Sequence, residues 1–136
     1  LKPTSIYDNP EDPENPTSLD ELIEVTGAQS IDYQEKTRCC GAAVLAISED
    51  LAYSLARPKL KTLSKDSIDA MTLMCPFCSV MYDDNQKKME QKFQEQYNIP
   101  VLFYPQLLGL SMGVDEKALG LRMNRVSTKK LLEKVK

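Results

Sequence analysis

Ile68-Asp69-Ala70-Met71-Thr72-Leu73-Met74-Cys75-Pro76-Phe77-Cys78 is the stretch that decides the fold. Residues 68–74 form a short, mostly apolar run, which reads as a buried strand. The run passes directly into a C-x-x-C tetrapeptide. Beyond it, Tyr82, Met89, Phe93 and Tyr97 recur at helical spacing among charged and Gln residues, so 79–97 reads as an amphipathic helix ended by Asn98. Pro100-Val101-Leu102-Phe103-Tyr104 is a second strand. Pro105 then stands where a first-turn proline would, ahead of Leu107, Leu108, Leu110 and Met112, with Gly113 as the stop.

Upstream of this stretch, Ser18-x-x-Glu21 reads as a capping box opening a helix with Leu19, Leu22 and Ile23 on one face and Gly27 at its end. Gln29–Tyr33 alternates and reads as a strand leading to Cys39-Cys40-Gly41. Val44, Ile47, Leu51 and Leu55 then follow at steps of 3, 4 and 4, a core-facing helical stripe that Pro58 is expected to end or to carry into another turn. Residues 59–67, carrying Lys59, Lys61 and Lys65 with Leu60 and Leu63, read as helical but exposed. Ser127 caps a final helix bearing Leu131, Leu132 and Val135. Helices and strands alternate throughout, which predicts an α/β fold: a parallel sheet flanked by helices, with the cysteine pairs at the carboxyl ends of strands.

The chain has 136 residues, a length suited to one domain over 1–136, with an acidic Pro-rich loop at 1–17 and a basic helical tail at 114–136. Because the chain opens on a loop, a first strand is expected upstream of Leu1. Seventeen basic against twenty acidic residues give a net charge of −3, unsuited to general nucleic-acid binding. No apolar run approaches the ~20 residues of a membrane span. His and Trp are absent, so this chain offers no His base and no mixed Cys/His zinc site. Four Cys without secretory features point to a reducing, cytoplasmic setting where thiols act as ligands or redox groups.

All four cysteines fall in two pairs, Cys39-Cys40 and Cys75-x-x-Cys78, each expected to follow a strand and open a helix. Such points gather at the carboxyl edge of a parallel sheet, where helix N-termini favour anionic sulfur. Alone, Cys39-Cys40 reads as two small buried hydrophobes; with the C-x-x-C pair it reads as part of a metal site. Adjacent thiolates repel unless a cation sits between them. Four thiols suit soft-metal chemistry, either iron–sulfur or structural zinc. Gly41 lets the backbone pass close to a bulky cofactor.

Cys39-Cys40-Gly41-Ala42-Ala43, followed one α/β unit later by Cys75-Pro76-Phe77-Cys78, resembles the CCG domain found in the B subunit of heterodisulfide reductase. Asp12–Leu19 and Pro105-Gln106-Leu107-Leu108-Gly109 resemble further stretches of that family. Related domains occur in iron–sulfur subunits of some glycolate, lactate and succinate oxidoreductases. The resemblance implies a non-cubane [4Fe–4S] cluster held by Cys39, Cys40, Cys75 and Cys78. It implies electrons taken from an iron–sulfur or flavin subunit of a complex and delivered to a disulfide or related small-molecule acceptor. Pro76 and Phe77 would wall the cluster, although core packing serves Phe77 equally well. The family motif opens with a further Cys that is missing from residues 1–38, and the family protein carries two such modules. The chain is therefore expected to be a C-terminal half, inactive alone, whose site as given holds no metal, zinc or an oxidised pair.

Two other classes compete. Cys75-Pro76-Phe77-Cys78 also resembles a glutaredoxin active site, which would make the protein a thiol–disulfide oxidoreductase of the thioredoxin or glutaredoxin kind, though Cys39-Cys40 would then lack a role. A structural four-cysteine zinc module for subunit assembly would normally use two C-x-x-C knuckles. Met71, Met74 and Met81 read as core filler rather than copper ligands. The basic residues from Lys117 onward, opposed by the single acid Glu133, read as a solvated face or a dock for an acidic partner. Tyr82 and Tyr104 are candidate proton donors to a leaving thiolate, weighed against simple packing.

Overall fold

A computed structural model describes residue 12 and residues 14–135. Most of the loop expected at 1–17 lies outside these residues; Asp12 and residues 14–17 carry neither helix nor strand. The centre is a parallel two-stranded sheet, β1 (Met71–Leu73) beside β2 (Val101–Phe103), paired Met71↔Val101, Thr72↔Leu102 and Leu73↔Phe103. Six α-helices surround it among the described residues: α1 (Ser18–Val25), α2 (Glu49–Lys65), α3 (Pro76–Ser79), α4 (Gln86–Phe93), α5 (Tyr104–Ser111) and α6 (Lys129–Val135). The α/β class with a parallel sheet flanked by helices is therefore found. Its strands are three residues long, and the crossover between them contains α3 and α4, as parallel pairing demands.

The expected strand at Gln29–Tyr33 does not form; among the described residues β1 and β2 are the whole sheet. Ile31 and Tyr33 instead turn into the core from an irregular segment. The alternation was real, but it recorded which side chains face inward, not a ladder partner. The far side of β2 is covered by Asn124, whose Nδ2 donates to the Val101 carbonyl at 2.5 Å.

Helix α1 starts at the predicted cap position, and its cap lies one residue earlier. Its N-cap is Thr17, whose hydroxyl donates to Glu21 Oε1 at 3.1 Å, and Ser18 is the first helical residue. Gly27 stops the helix in the left-handed region at φ 85°.

Helix α2 overturns the expected inward stripe and part of the expected exposure. Its inward face is Ala52, Tyr53, Ala56, Lys59, Leu60 and Leu63, whereas Ile47 is 87% exposed, Leu51 51% and Leu55 40%. Both stripes have helical period, so periodicity established the helix but not which side packs. The small Ala52 and Ala56 let the helix approach the core closely. The helix runs through Pro58, and Lys59, Leu60 and Leu63 are buried, while Lys61 and residues 65–67 are exposed as expected. Burial of Leu60 and Leu63, worth about 1.5–3 kcal/mol each, offsets the ~3 kcal/mol cost of an interior proline.

The helix expected at 79–97 is interrupted. After α3 the backbone widens into a π-turn over Val80–Asp84 before α4 begins, and α4 ends at Phe93 with Gln94 left-handed. One extra residue in the turn shifts the phase, so the consecutive Met81, Tyr82 and Asp83 are all buried. Asp83 accepts from the Arg125 and Val126 amides at 2.8 and 2.9 Å, which fastens the C-terminal segment to the π-turn. The Gln86 side chain, fully buried, ties this helix to the segment entering β2 through the Ile99 carbonyl (3.0 Å) and amide (2.8 Å). At α5 the Gln106 side chain accepts from the Phe103 amide at 3.0 Å. The segment after residue 114 is helical only at a 3-10 turn over Leu121–Met123 and at α6, and it buries Leu121, Val126 and Leu131.

Candidate metal centre

Cys75 and Cys78 are placed by backbone geometry. β1 ends at Leu73, Cys75 is the N-cap of α3, and its carbonyl accepts from the Cys78 and Ser79 amides at 3.1 and 3.3 Å. Cys39 and Cys40 arrive differently, on a loop that follows no strand. Lys59 of α2 holds that loop: its Nζ donates to the Lys36 carbonyl at 2.9 Å and the Arg38 carbonyl at 3.0 Å. Gly41 then turns left-handed at φ 76° into a 3-10 turn over Ala42–Val44. A Cβ at Gly41 would lie 2.8 Å from Leu55 Cβ and 3.2 Å from the Ala52 carbonyl oxygen, so what the missing side chain permits is close approach to α2.

The two pairs meet. The Cys40 and Cys78 thiols lie near enough to shift one another's protonation, as do Cys39 with Cys40 and Cys75 with Cys78. The neighbours run as a row, Cys39–Cys40–Cys78–Cys75, and all four thiols are free. Cys40 is buried, Cys78 half-buried, and Cys39 and Cys75 are exposed at the rim. The neighbouring Cys78 thiol pulls the Cys40 pKa down, against the effect of burial. Cys78 is pushed up, first by the Cys40 thiol and then by burial. Among the described residues no three His, Cys, Asp or Glu side chains converge to hold a single metal ion.

Three further groups stand behind the thiols. Lys59 is 8% exposed, with its ammonium 5.9 Å from the ring centres of both Tyr33 and Tyr82. Burial pulls its pKa down, against the opposing influence of the thiolates of Cys78, Cys40 and Cys39. Tyr33 is pushed up to about 12 by burial and then by Asp20 and Cys78. Tyr82 is 2% exposed and is pushed up by burial and then by negative charge at Cys40 and Cys78; its hydroxyl has no hydrogen-bond partner among the described residues. Lys59, Tyr33 and Tyr82 join Cys75 and Cys78 in lining a cavity of about 770 Å³ that continues along β1 toward α6. Sequence reasoning missed Lys59 and Tyr33. The signal for Lys59 was its place one helical turn after Ala56, on the inward stripe.

The remaining candidates separate. Phe77 is 65% exposed beside the thiols rather than in the core, and Met74 is also exposed, while Met71 and Met81 are core. Tyr104 opens α5 and does not line this cavity. No helix among the described residues is long and apolar enough to cross a membrane.

Comparison with known proteins fits this arrangement. The family model for the CCG cysteine-rich domain matches residues 5–83, a span that includes all four cysteines. The chain is 40% identical over 126 residues to the B subunit of ferredoxin:CoB-CoM heterodisulfide reductase from Methanosarcina mazei, covering 91% of this chain and 42% of that protein. It is 40% identical over 124 residues to the B subunit of the ferredoxin/F(420)H(2)-dependent CoB-CoM heterodisulfide reductase from Methanosarcina acetivorans, covering 90% and 41%. It is 29% identical over 117 residues to the 8-methylmenaquinol:fumarate reductase membrane anchor subunit of Wolinella succinogenes, covering 86% and 41%. The chain thus spans about two-fifths of the length of these relatives.

Proposed function

The chain belongs to the CCG cysteine-rich domain family, and from that premise we propose that it is the cluster-holding domain of an iron–sulfur oxidoreductase subunit. Specifically, the parent protein is a disulfide-reducing subunit of the heterodisulfide reductase B type, with residues 1–136 forming one CCG domain. Cys39, Cys40, Cys75 and Cys78 are its ligands to a non-cubane [4Fe–4S] cluster. The observation that carries this reading is the nearness of Cys40 to Cys78, which joins two remote segments into one row of thiols, with Cys75 and Cys78 lining the adjoining cavity.

The donor set fits such a group. It is all sulfur, it already contains one thiol of lowered pKa, and a buried hydroxyl beside it lacks a partner among the described residues. A row suits a cluster, whose thiolates are shared among several irons, better than one zinc, which needs four donors around a single point. The row also gives Cys39-Cys40 a place beside the C-x-x-C pair, which a glutaredoxin-like site would not require.

When bound, such a cluster supplies one-electron transfer. Cutting a disulfide to two thiols takes two electrons and two protons. The chain's own contribution is to hold the group and shield it. Cys40 and Tyr82 close the buried side, while the exposed Cys39, Cys75 and Phe77 form the rim that an acceptor can reach. Electrons come from an iron–sulfur or flavin subunit of the complex, and the setting is cytoplasmic, where free thiols persist.

The test is anaerobic purification of the parent protein followed by iron, acid-labile sulfide and zinc analysis. The reading expects iron and sulfide in multi-iron ratio, lost in Cys40→Ser and in Cys75→Ser. Zinc without iron would establish a structural module instead. Metal-free protein that reduces insulin disulfides would establish a thioredoxin-like enzyme.

A further inference from the structure

We propose that Tyr82 and Lys59 form a polar floor beneath the thiol row, the Tyr82 hydroxyl donating a hydrogen bond to a sulfur of the bound cluster and the Lys59 ammonium balancing its negative charge. This rests on the iron–sulfur reading above and goes beyond the four ligands.

Two features of the arrangement call for an acceptor at this place. A phenol hydroxyl buried to this depth without a partner is destabilising, so one that persists points to an acceptor that completes it. A buried ammonium costs more, and it carries three N–H donors. Lys59 spends two of them on the Lys36 and Arg38 carbonyls, and no other acceptor for it is found among the described residues. Lys59 and Tyr82 face the same cavity as Cys75 and Cys78, with the ammonium 5.9 Å from the Tyr82 ring centre.

Lys59 donates to the Arg38 carbonyl, next to Cys39, and lines the cavity with Cys75 and Cys78, so the floor adjoins the segments of both pairs. A thiolate-held cluster is anionic and becomes more so on reduction. A hydrogen bond to its sulfur and a nearby fixed cation each stabilise the reduced state more than the oxidised one, which raises the reduction potential. Tyr82 and Lys59 are thus positioning residues that tune the site; neither carries out the bond cleavage.

The experiment uses the full-length parent protein, purified anaerobically with its cluster, and the variants Tyr82→Phe, Lys59→Met and Lys59→Arg. Three quantities are read: iron and sulfide content, the midpoint potential at fixed pH, and the H2O/D2O shift of the Fe–S stretching bands in resonance Raman. Tyr82→Phe keeps the ring packing. It is expected to retain iron and sulfide, move the potential negative and shrink the deuterium shift. Lys59→Met is expected to move the potential negative and to lower cluster retention severalfold, and Lys59→Arg to restore much of the potential. A cluster-loaded Tyr82→Phe protein with parental potential and parental deuterium shift overturns the inference, whether or not Lys59→Met folds. A parent protein without iron and sulfide overturns the iron–sulfur reading itself, so the two failures are distinguishable.

Discussion

The two cysteine pairs reach one site by opposite means. Cys75 and Cys78 ride on regular structure: a strand end, an N-cap and one helical turn place them with backbone hydrogen bonds alone. Cys39 and Cys40 sit on a loop whose placement depends on side chains and on one missing side chain. Lys59 pulls the 36 and 38 carbonyls onto α2, and Gly41 lets the chain pass against Ala52 and Leu55. Backbone-placed ligands tolerate neighbouring substitutions, because many small hydrogen bonds share the load. Loop-placed ligands depend on a few contacts, each worth more. The first pair is therefore the fragile half of the centre.

Gly41→Ala is the sharpest way to break this asymmetry. A non-glycine at φ 76° costs about 1–3 kcal/mol in backbone strain, and the clash with Leu55 adds to it. In urea denaturation the unfolding free energy should fall by at least that amount. At neutral pH the Cys40 thiol should be alkylated several times faster while Cys75 keeps its parental rate. Equal acceleration of both would mean that the pairs move as one unit. Pro76→Ala probes the other pair and should cost less, about 0.5–1 kcal/mol, by freeing the unfolded chain where φ was preset. Alkylation of Cys39 and Cys40 should not change; a larger loss than from Gly41→Ala would reverse the ranking.

The smallest effect belongs to a site remote from both pairs. Glu95 accepts from Arg57 Nε at 3.0 Å and Nη2 at 2.7 Å and from the Tyr97 hydroxyl at 2.5 Å. These bonds, led by Arg57, hold its carboxyl at about 2, below the usual 4.5. A depressed carboxyl contributes stability above pH 4.5 and loses it as pH falls toward 2. The pair is partly exposed, so the contribution is at most about 1 kcal/mol. Glu95→Gln should lose that much at pH 7 and show a flatter decline than the parent between pH 4.5 and 2, by thermal unfolding at each pH. Neither cysteine pair should change its alkylation rate.

Local chemistry was readable where it needed only neighbours in sequence. β1 and β2 announced themselves by short apolar runs, and the Cys75-Pro76-Phe77-Cys78 turn by a strand running into proline. The inward face of α2 was not readable, because Leu51 and Leu55 have the same period as Ala52 and Ala56, and only packing chooses between them. The same ambiguity hid Lys59, which looks like any surface lysine until the loop at 36–38 lies over it. The π-turn at Val80–Asp84 was hidden too. It makes Tyr82 a buried neighbour of the thiols, yet leaves the helical spacing of Tyr82, Met89 and Phe93 nearly intact.

The amino-acid order alone determined the available chemistry, four thiols in two pairs with no histidine, since the type of reactive group is a property of side chains. It also determined the two strands β1 and β2 and the helices that follow them, which rest on local period. Only the tertiary structure decided that Cys40 and Cys78 are neighbours, that a lysine and a tyrosine lie beneath them, and that one pair is held by backbone and the other by a side-chain clasp. Those outcomes depend on long-range packing: residues far apart in the chain must compete for one buried volume before any of them has a neighbour.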